Sequence, residues 1–440
     1  IGAESSQRSA LARRNGVPPM CLFYPYNAEE NLFCWAMTKT WGQNYWGTHW
    51  KMDFRKETSM LARPFAFEEQ HPRLYECRAS IAEIGVLFSA RTVWLHSDKH
   101  APPDSIRMSD PASTDCWAGW CEVLALANMP FDTFGENDLE ERRYFDRFRL
   151  VIVPNTVCLS DKAIASLKAF ARQGGKLIIT HQSGLKNASG AWRKQYPFHD
   201  LVGAEYRGVL RKSPAWMGTG QGEWPGATCR CARTPAAIFR LHASAKTLMK
   251  LAGGEHPAVF RHRYGQGEVI VFAGQPGRIV CVNRHKRIET CDENATGGGR
   301  RFAEIDFGMN LPVKRVMQAA VKSLVPDLPL TTEGLPEGFI TGMFSHGTRA
   351  VIHIVNAAGT LRDSGQTVPI PAPLRFPRAD TLPGGRETML IRIRRDCRQA
   401  VLRSPELAGE RKLVVRKEGV GSVIEVPAGL VRCYSVIEVD

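Results

Sequence analysis

The sequence predicts an α/β protein in three parts: a remnant of a (β/α)8 barrel over residues 1–88, a flavodoxin-like parallel-sheet domain over 89–330, and a C-terminal β-sandwich over 331–440. Three observations carry this. The first fifty residues read as strand, helix, strand, a unit too small to bury a core by itself, so its partners are expected upstream in a parent chain or in another subunit. From residue 92 to 180 strand and helix alternate four times with short loops, as a parallel sheet covered on both faces requires. Beyond a Pro-rich joint at 326–336 only short strands and Gly turns follow. A length of 440 residues suits two or three domains, and 43% hydrophobic with 23% charged residues is ordinary globular composition.

In order along the chain, residues 6–15 form a short polar helix-like run and 19–26 (PMCLFYPY) a compact apolar strand. Asn27 and Glu30 have capping-box spacing, and Leu32, Trp35, Ala36 and Met37 give the next helix its buried stripe before Gly42 ends it. The run 43–50 (QNYWGTHW) holds three large aromatics, more than a core-filling strand needs, and reads as a strand end facing a ligand. Leu74, Cys77, Ile81, Ile84 and Phe88, three and four residues apart, predict a helix over 72–88 that closes the barrel remnant. Then follow a strand at 92–95 (TVWL), a polar loop, a helix over 114–128, a strand at 131–134, a charged helix near 136–148 and the apolar strand 150–153. Ser160 caps a helix over 161–173 with Ile164, Leu167 and Phe170 on one face; Gly174-Gly175 ends it and a strand occupies 176–180. From 184 to about 247 the pattern is irregular. Strands 259–263 and 268–272 form a hairpin around Tyr264-Gly265-Gln266-Gly267, and a helix over 312–324 packs back on the sheet. The last part carries strands at 339–344, 349–355, 389–393, 412–416, 422–426 and 432–439.

Several function classes are disfavoured. No apolar run approaches the roughly 18 residues of a membrane span, and no secretory leader pattern opens the sequence. The twelve Cys are scattered, mostly in apolar stretches as at Cys34, Cys121 and Cys281, and read as reduced thiols of a cytoplasmic protein. The net charge of +14 is spread along the chain, and the densest basic run, 386–398, alternates Arg392 and Arg394 with Leu390, Ile391 and Ile393 as a half-exposed strand would. A nucleic-acid partner is therefore not expected. Cys229 and Cys231, with Cys281, His285 and Cys291, lack the spacing of paired zinc knuckles, so neither a metal nor another cofactor is expected.

Two regions remain for chemistry. Trp46 and Trp50, with Tyr24 on the neighbouring strand and His49 between, suit a stacking platform for sugar rings at the C-terminal ends of barrel strands. A carboxylate protruding into the same barrel mouth from Asp53 or Glu57 would separate a hydrolase from a binding module. The second region is the strand-to-helix elbow at 180–184 (THQSG), in a domain whose topology resembles class I glutamine amidotransferases. It has no Cys, and Ser183 lacks the G-x-S-x-G frame. Cys158 precedes a helix N-terminus without a His near it in sequence, so this domain reads as non-catalytic. Trp192, Trp216 and Trp224 lie in a stretch too irregular for a sheet core and are expected at a subunit interface.

The segments NLFCWAMTKTWGQNYW, LVIVPNTVCLSDKAIASLKAFARQGGKLIIT and VIHIVNAAG are similar to the last barrel helix and strand, the trimerisation-domain signature and the opening of the C-terminal β-domain of family 42 β-galactosidases. Nearly the whole chain resembles the C-terminal part of such a glycoside hydrolase. The resemblance implies a catalytic barrel, an amidotransferase-like trimerisation domain and a small β-domain, acting on galactosides or related sugars as a homotrimer in which a neighbouring subunit helps wall the barrel mouth. Retaining hydrolysis in the family uses two Glu. Here Tyr24 stands about where the nucleophile is expected, and Glu29 and Glu30 read as dipole and cap partners in a first helical turn. The catalytic residues are thus not assigned; Tyr24, Trp46, His49, Trp50 and Asp53 are expected to bind substrate, and the chain alone to be inactive. The alternative is a non-catalytic carbohydrate-binding or oligomerisation module.

Overall fold

Short apolar runs between polar caps set the frame of the computed structural model, which describes residues 2–23, 28–47, 54–76, 79–96, 111–141, 145–218, 228–229, 234–282, 311–336, 338–357 and 388–440. The first part comprises α1 (Gly2–Arg14), β1 (Met20–Phe23), α2 (Ala28–Thr40), β2 (Asn44–Gly47) and α3 (Phe54–Gln70). β1 and β2 pair in parallel, Met20 opposite Asn44 and Phe23 opposite Gly47. On α2 the predicted stripe is buried at Trp35, Ala36 and Met37, and Gly42 adopts the left-handed φ of +66° that turns the chain into β2.

The described residues of 72–88 do not form the expected helix. A 3₁₀ turn (Pro72–Tyr75) leads to β3 (Ala79–Ser80), which pairs with the C-terminal sheet, and to β4 (Ile84–Phe88) in the central sheet. Ile84, Val86 and Leu87 are all buried because this strand is covered on both faces, which erases the period of two; joined to Leu74 they imitate helical spacing. Residues 92–95, expected as a strand, are the end of α4 (Ala90–Leu95). Ser89 caps it, its hydroxyl accepting the Thr92 N–H at 2.9 Å, and this local bond outweighs the strand preference of Thr92 and Val93.

The α/β part continues with α5 (Pro111–Leu126), β5 (Phe131–Gly135), α6 (Glu136–Glu141), β6 (Leu150–Val153), α7 (Asp161–Arg172) and β7 (Lys176–Thr180). The strands at 150–153 and 176–180 and the helix capped by Ser160 (Ala163 N–H to Oγ, 3.0 Å) stand as read from sequence. The charged helix near 136–148 is shorter, ending at Glu141 before a 3₁₀ turn, Phe145–Arg147. Next come α8 (His199–Val202), β8 (Ala204–Leu210), β9 (Trp216–Gly218), β10 (Thr228–Cys229), β11 (Ala236–Leu241), β12 (Lys246–Leu251), β13 (Pro257–Tyr264), β14 (Gly267–Phe272), α9 (Pro276–Val282) and α10 (Leu311–Leu324). The stretch expected to be irregular therefore holds strands; β8 and β11 pair antiparallel with a register shift at Ile238/Phe239, which breaks the alternation.

The nine-stranded sheet runs β10-β9-β12-β13-β14-β7-β6-β4-β5. Its members β14, β7, β6, β4 and β5 are parallel and follow the flavodoxin-like order 2-1-3-4-5, and antiparallel strands extend it beyond β14. α5 and α9 cross backbone to backbone: a Cβ on Gly119 would lie 2.1 Å from the Gly277 carbonyl oxygen.

The last part holds β15 (Leu330–Glu333), β16 (Phe339–His346), β17 (Arg349–Asn356), β18 (Thr388–Ile393), β19 (Ala400–Arg403), β20 (Arg411–Lys412), β21 (Val414–Glu418), β22 (Gly421–Pro427) and β23 (Tyr434–Val439). They form a four-stranded sheet, β15-β18-β22-β21, and a six-stranded one, β20-β19-β23-β17-β16-β3. Both contribute to one buried cluster, Met389, Ile391 and Ile424 from the first and Ile352, Leu402 and Ile437 from the second. Two arginines of the basic run at 386–398 are paired with carboxylates: Arg392 with Glu333 and Glu418, Arg394 with Glu83 and Asp327.

Polar contacts fasten the three parts together. Arg13 of α1 meets Asp132 of β5 at 2.6 Å, and Arg147 meets the same carboxylate. Asn128 bridges to β16, its amide donating to the Phe339 carbonyl (3.1 Å) and its Oδ1 accepting the Thr341 N–H (2.8 Å). Lys39, buried, holds Glu68 at 2.6 Å and lies over the Tyr75 ring.

Candidate functional site

Ligand sites on parallel sheets are expected at the C-terminal ends of the strands, and the chain has two such sheets. In the first, β1 and β2 run into residues outside the described ones, and with them Tyr24, His49, Trp50 and Asp53. Of the predicted set only Trp46 is described. It sits across from Leu22 and is 55% exposed.

Alternation along β2 separates its aromatics by face. Tyr45 turns toward α2, its hydroxyl donating to Asn31 Oδ1 at 2.7 Å, with Phe23 stacked at 6.1 Å; burial pushes its phenol well above the usual range. Trp46 lies on the other face with Leu22 and Met20, all three exposed. In a β-α-β unit the helix covers one sheet face, so the face bearing Met20, Leu22 and Trp46 is the one α2 leaves free. Tyr45 and Asn31 were missed in the sequence because alternation was not applied inside the aromatic run.

The second set of strand ends is filled by the protein itself. His181, following β7, has a left-handed φ of +49° and Asn155, following β6, one of +50°. Such backbone in a non-Gly residue marks a position fixed by its surroundings, and here the surroundings are hydrogen bonds. The His181 N–H donates to the Phe272 carbonyl (2.8 Å) and its Nδ1 faces the Ala273 carbonyl (3.1 Å). Asn155 N–H donates to Thr180 Oγ1 at 2.7 Å. Ser183, wholly buried, donates to the Thr180 carbonyl (2.8 Å) and accepts the Thr156 N–H (3.0 Å). A hydroxyl so engaged and shielded from solvent is built as a clasp between strand ends, not as a nucleophile. Cys158 is buried too, its backbone N–H donating to Thr92 Oγ1 at 3.0 Å. At the neighbouring crevice the Glu136 carboxylate accepts from Ser89, and burial raises its pKa.

Of the tryptophans expected at a subunit interface, Trp216 belongs elsewhere. It is fully buried, its ring 6.0 Å from that of Phe272 and its indole N–H 3.3 Å from Ser213 Oγ. The reason is that β9 adds to the sheet edge and turns this side chain into the core. Trp224 lies outside the described residues, whereas Trp192 is 60% exposed. Among the described residues no three His, Cys, Asp or Glu side chains converge as a metal site; Cys231, His285 and Cys291 lie outside them. No helix among them is long and apolar enough to cross a membrane.

Comparison with known proteins bears on this arrangement. Residues 82–283 match the family model described as the β-galactosidase trimerisation domain. A 66-residue stretch is 46% identical to β-galactosidase GalA of Bacillus licheniformis, covering 14% of this chain and 10% of that protein. Among solved structures, α-L-fucosidase isoenzyme 2 from Paenibacillus thiaminolyticus aligns with a TM-score of 0.67 at 14% identity, over 100% of this chain and 62% of its own. A β-galactosidase from Bacillus circulans sp. alkalophilus aligns with a TM-score of 0.63 at 11% identity, over 100% of this chain and 58% of its own. At these identities the structural likeness is one of fold, and the chain spans less than two thirds of the length of either structure. Residues 82–283 are thus similar to the β-galactosidase trimerisation domain, and the chain resembles the C-terminal portion of a glycoside hydrolase family 42 β-galactosidase.

Proposed function

We propose that the chain serves a β-galactosidase-like glycoside hydrolase as its C-terminal portion, completing a (β/α)8 barrel with its first part and assembling the enzyme as a homotrimer through its amidotransferase-like α/β part. The observation that carries this is the face of β1 and β2 that α2 leaves free. In a closed barrel the helices lie outside, so Met20, Leu22 and Trp46 would point inward. An aromatic ring at that place suits the apolar face of a sugar, and Tyr24, His49, Trp50 and Asp53 follow at the strand ends as further substrate-binding residues. The division we propose is 1–81, 82–330 and 331–440, the first boundary drawn back from 88 because β4 belongs to the central sheet. We read the last part as a small sandwich. Cys21, Cys34, Cys121 and Cys397 are free thiols, which supports a reducing, cytoplasmic setting, and the ion pairs of Arg392 and Arg394 support a reading without a nucleic-acid partner.

The second reading, a non-catalytic carbohydrate-binding or assembly module, is favoured by Tyr24 at the position the family gives its nucleophile. Assays with aryl β-galactosides on this chain and on the product of the whole reading frame separate the two. We expect no turnover by the chain and measurable turnover by the larger product, with Trp46→Ala there raising KM about fivefold, the loss of roughly 1 kcal/mol of stacking. A larger product that binds galactosides without turnover establishes the second reading; turnover by the 440 residues alone removes the first.

A further inference from the structure

Away from the strand ends of both parallel sheets, one place on the surface sets a hydroxyl against an imidazole. β11 and β12 are joined by residues 242–245, and Ser244 lies in this turn. Its Oγ stands 3.1 Å from Nε2 of His262 on β13, and Nδ1 of the same ring stands 3.0 Å from the Leu201 carbonyl oxygen in α8. A carbonyl oxygen only accepts, so Nδ1 carries the proton. In the neutral ring Nε2 then offers its lone pair, and the Ser244 hydroxyl donates to it. Nucleophile, base and orienting group thus stand in the order that an activated serine needs.

Each member is held in place. The turn is closed by the Ala245 N–H, which donates to the His242 carbonyl at 3.1 Å, and moored by the His242 N–H, which donates to the Gly203 carbonyl at 2.9 Å. Gly203 ends α8 with a left-handed φ of +63°, and it leaves room for the imidazole: a Cβ there would stand 2.4 Å from His262 Cδ2. The ring is therefore half-buried and confined, while Ser244 is exposed. The Leu201 carbonyl belongs to the last turn of α8, where an imidazole finds an acceptor that the helix itself does not use. It occupies the place that a carboxylate holds in serine proteases, fixing the tautomer and favouring the imidazolium that forms during acyl transfer. Among the described residues no acceptor takes the backbone N–H groups of Ala243 and Ser244, and the nucleophile's own N–H is a usual donor to an acyl oxyanion.

We propose that Ser244 and His262 form a catalytic dyad for a second hydrolytic activity, the cleavage of short-chain carboxylic esters such as acetyl esters. His262 Nε2 takes the hydroxyl proton as Ser244 Oγ bonds to the ester carbonyl carbon. Collapse of the tetrahedral adduct breaks the carbon–oxygen bond to the alcohol, which leaves with the proton from Nε2. Water, giving a proton to Nε2, attacks the acyl-serine; the carboxylic acid leaves and Oγ regains its proton, so that one water is consumed for each ester. The substrate class follows from the surroundings. An exposed hydroxyl on a turn offers little wall for a long acyl chain, and a backbone carbonyl supports the base less than a carboxylate does, which suits an ester with a good leaving group better than an amide. The dyad is independent of the sugar site proposed at β1 and β2.

Two readouts on the 440-residue chain test it: turnover of p-nitrophenyl acetate beyond one equivalent per chain, and the rate at which a fluorophosphonate probe labels Ser244, followed by peptide mass spectrometry. Wild type is compared with Ser244→Ala, with His262→Gln and with Ser189→Ala as the control, an exposed serine whose hydroxyl is bound to Asn187 instead. We expect labelling of Ser244 well ahead of Ser189, turnover by wild type and control, and its loss in Ser244→Ala with unchanged circular dichroism and melting temperature. His262→Gln should slow the labelling of Ser244 by at least about 100-fold, the share of a general base. Turnover by Ser244→Ala equal to wild type, or labelling of Ser244 no faster than of Ser189, overturns the proposal, and the pair is then only a fastening of the turn. If His262→Gln fails to fold, Ser244→Ala and the wild-type labelling decide alone.

Discussion

Among the described residues two sheets contain parallel strands, and they treat the C-terminal ends of those strands in opposite ways. In the nine-stranded sheet the ends of β6, β7 and β14 are stitched together by Asn155, Thr180, His181 and Ser183, and every one of these side chains is buried. In the two-stranded sheet β1 and β2 pair only with each other among the described residues, and Met20, Leu22 and Trp46 meet solvent. A parallel strand normally has neighbours on both sides and cover on both faces. Among the described residues the nine-stranded sheet thus fills the ends of β6, β7 and β14 with its own side chains, and the two-stranded sheet offers an open edge and an open aromatic face. Capacity for a ligand follows where the protein has not already satisfied itself.

That contrast is open to direct attack. The largest effect is expected at the crossing of α5 and α9, where the backbones touch and no side chain fits: Gly277→Val places carbon against the Cys116 carbonyl oxygen, 2.1 Å from where a Cβ would stand. Overpacking without room to relax costs roughly 3 kcal/mol or more, and we expect the variant to be recovered unfolded or in inclusion bodies, as read by near-UV circular dichroism. Next, the same residue type is compared in both sheets. Trp216→Ala should cost about 3–5 kcal/mol in urea unfolding, because its indole is wholly buried against Phe272. Trp46→Ala should stay within about 0.5 kcal/mol of wild type, as an exposed site allows. Equal costs would show that Trp46 is part of a core and that the open face does not exist in solution.

A smaller effect concerns how the first part is fastened to the C-terminal sheet. His353 on β17 is buried beside Tyr434, its Nδ1 2.7 Å from the Tyr434 hydroxyl, and burial together with the nearby Lys39 ammonium lowers its pKa to about 3. Unfolded, the imidazole takes up its proton near 6.5. Between those values the unfolded state binds more protons than the folded one, so stability is fully present above about pH 6.5 and falls as the pH drops toward 3. One proton corresponds to about 1.4 kcal/mol per pH unit. His353→Asn keeps an oxygen acceptor for Tyr434 without titrating. Its unfolding free energy plotted from pH 6 to 4 should be shallower than wild type by about that slope, and parallel plots would contradict the assignment.

The same contrast governed what the sequence discloses. β6, α7 and β7 were legible because a strand buried on both faces is a continuous apolar run and because Ser160 and Gly174-Gly175 bracket the helix with side-chain and left-handed caps. β4 was misread for the same physical reason, since full burial removes the alternation that tells strand from helix. α4 was misread because a Ser89 cap outweighs two β-branched residues. In the irregular stretch, a bulge in β8–β11 and edge strands of two or three residues carry too few positions for a period to show. At the candidate site Trp46, expected to face a ligand, is exposed, whereas Trp216 was assigned to an interface because its pairing partners lie far along the chain, at Leu251 and Cys229. Exposure of Trp94 was hidden for a related reason, as its strand-like neighbours disguised a helix end.

Amide hydrogen exchange read by mass spectrometry on the isolated chain tests the central contrast most directly. The account predicts that Met20–Phe23 and Asn44–Gly47 exchange within seconds to minutes at neutral pH, because a two-stranded sheet with open edges is only marginally held. Leu150–Val153 and Lys176–Thr180 should stay protected for hours inside the nine-stranded sheet. Protection of β1 and β2 equal to that of β6 and β7 would mean that the two-stranded sheet is already complete in this chain, and would contradict the reading that it is built to join further strands.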